Sequence, residues 1–164
     1  MLWYLNLTAA VVATGLHLWL GKRPVSAGRC VEVLLLYLLV FFVGVGGVMG
    51  FLGHTFKARE IALKIGWQTS PFQFEVAVAN LAFGVLGIMC IWQRRGFRTA
   101  TSIGYAIFLL GCAYGHFRDM TLHGNLAPYN VGAVLWINDL AVPVVILLLL
   151  LVRRHLAVTP ASNQ

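Results

Sequence analysis

Residues 31–53 read VEVLLLYLLVFFVGVGGVMGFLG, 23 residues with one acid, Glu32, near the start. About 20 consecutive apolar residues suffice to cross a bilayer as a helix, so this run predicts a membrane span. Its second half carries Gly44, Gly46, Gly47, Gly50 and Gly53. Small residues in a membrane helix let a neighbouring backbone come close, and the glycines therefore predict tight packing on another helix.

Composition extends that reading to the whole chain. Of 164 residues, 60% are hydrophobic and 10% are charged, too few polar groups to cover a water-soluble fold. The expectation is an all-α polytopic integral membrane bundle of about five transmembrane helices plus a short interfacial helix. Residues 1–152 form a single domain, and residues 153–164 a polar C-terminal tail. The net charge of +7 comes from short clusters between apolar runs, which reads as membrane topology and not as a nucleic-acid face. Cys30, Cys90 and Cys112 are widely spaced with no CxxC pattern, and read as small buried apolar residues.

Four further spans flank the first stretch. Leu5 to Leu20 carries Asn6, Thr8, Thr14 and His17, and its basic residues Lys22 and Arg23 follow the apolar core, unlike a signal peptide. Phe56 to Gly66 mixes Phe56, Ile61 and Ile65 with Lys57, Arg59, Glu60 and Lys64, the pattern of an interfacial helix. Thr69, Ser70 and Pro71 then read as a cap-like start for a span from about Phe74 to Trp92. The remaining spans run from about Thr101 to Phe117 and Val131 to Val152, with Pro143 as a kink site in the last.

Eight of the twelve basic residues fall in the segments after spans one, three and five. The positive-inside rule then places the N-terminus outside and the C-terminus in the cytoplasm of a multi-pass inner-membrane protein. On the outer side this topology collects His54, Glu60, Glu75, His116, Asp119, His123 and Asp139, most of the acids and histidines of the chain.

Those residues suggest chemistry of three kinds. His116, Asp119 and His123 share one stripe if the helix continues past Phe117, and with His54 they form a candidate site for zinc, iron or copper. His54 and His116 could alternatively hold a b-type haem as axial ligands. Glu75 and Asp139, each an acid inside or at the start of a span, could exchange protons with a nearby histidine. Trp67, Glu75, Asn80, Asn130, Asn138 and Asp139 complete the candidate ligand-binding set. The structural alternative is a polar clamp in which Asp139 and Asn138 hold helices together.

The stretches IGWQTSPFQFEVAVANLAFGVLGI, GCAYGH and GNLAPYNVGAVLWINDL resemble an uncharacterised family of small bacterial inner-membrane proteins, over about residues 50 to 150. That resemblance marks Trp67, Phe72, Glu75, Asn80, His116, Asn125, Asn130 and Asp139 as pattern positions and implies no activity. In layout the chain also looks like the DoxX-type group, usually four-helix bundles, from which it departs by an extra span. Members of that group associated with quinone or sulfur redox systems would imply a redox role. The functional expectation is thus a polar His/carboxylate pocket on the extracytoplasmic side that binds a small ligand, metal or redox cofactor. The alternative is an accessory or structural subunit, its partners being the bilayer and other membrane subunits or a second copy of the chain. Nucleic acid is not expected as a partner.

Overall fold

Helix formation follows from the long apolar runs, whose only interruptions are short Gly-, Pro- and Ser-bearing segments. The structure, a computed structural model, describes residues 2–158 and is all-helical over them. In chain order the helices are α1 (Leu2–Leu20), α2 (Ala27–Leu38), α3 (Gly46–Phe56), α4 (Ala58–Ile65), α5 (Phe72–Met89), α6 (Gly96–His123), α7 (Pro128–Val131) and α8 (Val142–Val158). Two π-helical segments, Leu39–Val45 and Val134–Ala141, join α2 to α3 and lead into α8.

Among the described residues, four helical runs are long and apolar enough to cross a membrane: Ala27–Phe56, Phe72–Met89, Gly96–His123 and Pro128–Leu156. The chain is therefore a small helical membrane protein. Helix α1, 19 residues long, is not among those four. The last helix runs through Val158, so the polar stretch from Arg153 begins as helix, and residues 159–164 lie outside the described part.

Local chemistry sets the boundaries. Ser26 caps α2 by accepting from the Arg29 N–H at 3.3 Å. Gly66 and Gly124 end α4 and α6 in the left-handed region, at φ +83° and +64°, where a side chain would be strained. The expected side-chain cap at Thr69 or Ser70 does not form; Pro71 precedes α5, and its fixed φ starts the helix. Pro143 does not break the last span. It has no N–H for the carbonyl four residues back, and the wider π turns of Val134–Ala141 lie just before it.

Packing centres on the α2–α3 run, which touches α1, α5 and α8, while α6 packs on α8 and the second π segment. Leu35, Leu39, Phe42, Val43 and Ile146 form the buried apolar core. The glycine expectation holds in a specific form. Gly44 and Gly47 face Gly84 and Gly87 so closely that a Cβ on Gly47 would lie 2.6 Å from the Asn80 carbonyl and 2.8 Å from the Gly84 nitrogen. These glycines serve contact within the chain, between α3 and α5.

Opposite the end formed by α3, α4 and α7, Glu32 is explained by two arginines. Arg98 Nη1 stands 3.3 Å from Glu32 Oε1 and Arg153 Nη1 3.8 Å from Oε2, which ties α2, α6 and α8 together. Arg98 Nε also donates to the Cys90 and Gln93 carbonyls, both at 3.0 Å, satisfying the orphan acceptors at the end of α5.

Candidate functional site

The other end of the bundle gathers the C-termini of α3 and α6, the starts of α5 and the second π segment, and the short helices α4 and α7. Because α6 continues to His123, His116, Asp119 and His123 do lie at successive turns of one helix. Their side chains nevertheless diverge. His116 turns into the bundle and is buried, whereas Asp119 and His123 pair at the surface, Nδ1 to Oδ1, at 2.7 Å.

Around His116 the hydrogen bonds determine which atom does what. Asn130, fully buried, donates from Nδ2 to the Asn125 carbonyl at 2.7 Å, which orients its amide. Its Oδ1 then faces His116 Nδ1 at 2.8 Å, so that nitrogen carries the ring proton and donates. The other nitrogen, Nε2, faces Asp139 Oδ2 at 3.6 Å, and Asn138 donates to Asp139 Oδ1 at 2.8 Å. Asp139 is 4% exposed, brought inward by the second π segment. Nδ1 is thus taken by Asn130, whereas the 3.6 Å separation of Nε2 from Asp139 is an electrostatic contact too long for a hydrogen bond.

Trp67 closes this cluster. Its ring stacks on the His116 imidazole with centroids 5.2 Å apart and planes 16° from parallel, and Nε1 donates to Asp119 Oδ2 at 2.7 Å. Asn125 donates to the same carboxylate oxygen at 2.5 Å and to the Ile65 carbonyl at 2.8 Å. An indole held at its nitrogen and along its face has little rotational freedom left. Asn125, placed just after the glycine that ends α6, was marked by the family resemblance but not placed among the candidate ligand or metal residues.

Trp67 also lines an apolar recess that shares lining residues with an open cleft. A cleft of about 340 Å³ is lined by His54, Thr55, Thr69, Ser70, Gln73 and Phe74, among others. A smaller apolar recess of about 140 Å³ shares His54, Ser70 and Gln73 with it and is walled by Trp67, Phe72 and Val76. Gln73 donates to the Ala58 carbonyl at 2.7 Å, and the same nitrogen stands 3.3 Å from His54 Nδ1. Gln73 and Thr55 were likewise absent from the candidate set; their only sequence signal is adjacency to His54 and to the start of α5.

The remaining candidates separate. Glu75 is exposed on the first turn of α5 and makes no hydrogen bond or ion pair among the described residues. Asn80 donates to the Val76 carbonyl of its own helix at 2.9 Å and packs against Gly50. His54, His116, Asp119 and His123 do not converge, and no group of three or more His, Cys, Asp or Glu among the described residues could hold a metal ion. The helix periodicity that puts them on one end of the bundle does not aim them at one point.

Over residues 1–158 the sequence matches the model of a family described as "Family of unknown function (DUF6790)". No curated protein and no solved structure matches.

Proposed function

The chain belongs to this family of unknown function, so its site must supply the chemistry; we propose that it is a small-molecule-binding protein of the inner membrane. In this reading α1 is a fifth span and α4 lies at the interface. The N-terminus is extracytoplasmic, and residues 1–152 act as one domain. The ligand occupies the cleft between α3 and α5 on the extracytoplasmic side, with His54 and Gln73 as polar anchors and Trp67 and Phe72 as the aromatic wall. The supporting observation is Trp67 itself, which lines the recess while Asp119 and His116 fix its ring. The His/carboxylate cluster thus acts on the ligand indirectly, by holding the wall in place before binding.

One observation favours the accessory-subunit alternative: His116, Asn130, Asn138 and Asp139 satisfy one another, as a clamp between helices would. A clamp alone leaves the open cleft beside Trp67 without a role. Untargeted mass spectrometry of molecules extracted from purified protein separates the two readings. A compound enriched with wild type and depleted about tenfold or more with Trp67→Ala is the expected result, since Trp67 is 42% exposed and an aromatic anchor that a ligand covers carries much of the binding energy. Identical extracts from the two proteins would leave the clamp as the better account.

A further inference from the structure

We infer that the His54 cleft takes an uncharged, flat molecule bearing a hydrogen-bond-accepting carbonyl group; this rests on the ligand-binding reading above and adds the chemical class of the ligand. Charge is the first discriminator. None of the residues lining the cleft or the adjoining recess is Asp, Glu, Lys or Arg. A carboxylate, phosphate or ammonium ligand would leave water there without a countercharge, which is costly at the edge of a membrane.

Donors and acceptors are the second. The Gln73 amide nitrogen is fixed by the Ala58 carbonyl it donates to, so where it meets His54 Nδ1 that ring nitrogen must accept. The neutral imidazole then carries its proton on Nε2, as a donor not used by any other described side chain. Thr55 is on the lining, and its Oγ1, buried and without a hydrogen bond, has an O–H free to donate as well as lone pairs to accept. A buried hydroxyl without a partner is uncommon in a folded protein, and an acceptor arriving with a ligand would satisfy it. Thr69 and Ser70, also on the lining, make no side-chain hydrogen bond among the described residues. The cleft therefore offers protons from several directions and no carboxylate to receive one.

Shape is the third. The recess beside the polar cleft is walled by two aromatic rings, Trp67 and Phe72, and its volume of about 140 Å³ suits a flat ring system. The ring part would lie against Trp67 and the carbonyl oxygen would reach toward His54 and Thr55.

The test uses the full chain in lipid nanodiscs, with empty nanodiscs as the baseline for partitioning. Three probes share one ring: 2-acetylnaphthalene, 2-ethylnaphthalene and 2-naphthoate. Equilibrium binding should be saturable and tightest for 2-acetylnaphthalene. His54→Ala and, separately, Thr55→Val should each weaken the ketone by up to about tenfold and leave the hydrocarbon unchanged, as expected for one lost hydrogen bond. Thr55→Val keeps the side-chain shape, so it reads the hydroxyl alone even if His54→Ala folds poorly. Equal binding of ketone and hydrocarbon, or a preference for naphthoate, would overturn the ligand class while keeping the cleft as a binding site. No saturable binding of any probe above the empty nanodiscs would overturn both.

Discussion

Asp139→Ala and His116→Ala will each lower the unfolding free energy by about 3 kcal/mol in mixed micelles, and the double variant will lose little more than either one. The two side chains meet at 3.6 Å between the second π segment and α6, at 4% and 7% exposure. Each is ionisable, and neither has an arginine or lysine beside it among the described residues. Removing one leaves the other buried with only its neutral partner, Asn130 or Asn138, which is where the large cost of a broken buried pair arises. Removing both takes away the desolvation problem together with the interaction, so the effects should be far from additive. Leucine at both positions should recover most of the loss, because a buried pair replaced by apolar groups of similar size is often neutral. Losses under about 1 kcal/mol in both single variants would instead mark an ordinary membrane hydrogen bond.

Replacing Gly87 with alanine should be comparably damaging, at about 3 kcal/mol or with failure to fold, although the change adds only one methyl group. The new Cβ would collide with the Gly44 nitrogen and lie 2.7 Å from both the Gly44 Cα and the Leu39 carbonyl. All three are backbone atoms of the facing run, so no side-chain rotation can relieve the contact, and α5 must move away from the first π segment. Gly111→Ala is the matched control. Nothing lies within 4 Å of a Cβ at Gly111, and alanine there removes only a weak helix former. Unfolding monitored by circular dichroism should therefore show Gly111→Ala equal to or slightly above wild type. Equal stability of Gly87→Ala and Gly111→Ala would mean that the close approach of α5 to the first π segment contributes little.

Much of the bundle was legible because membrane spans obey a one-dimensional rule. Hydrophobic length decides where a helix can cross, and Val31 to Gly53 meets it without reference to any partner. The glycines of that run likewise announced close packing. Two features escaped that rule. The π segments depend on how each helix settles against its neighbours, so Pro143 suggested a kink where the chain instead widens its turns before the proline. The partners of Glu32 were equally hidden, since Arg98 and Arg153 come from helices distant in sequence.

At the candidate site, the sequence by itself determined which polar residues share an end of the bundle, because span order fixes the depth of each residue along the membrane normal. That placed His54, Trp67, His116, Asp119, Asn130 and Asp139 in one neighbourhood and singled out two acids, Glu75 and Asp139, of which only Asp139 is buried. Only the tertiary structure decided which of them meet. Helix rotation and the approach of α7 turned His116 toward Asn130 and Asp139, sent Asp119 to Trp67 and Asn125, and left Glu75 exposed. A metal centre requires three donors aimed at one point, and depth in the membrane carries no information about direction around a helix axis. That angle is set by packing against other helices, and here packing set Trp67 against the closed polar cluster and on the lining of the apolar recess.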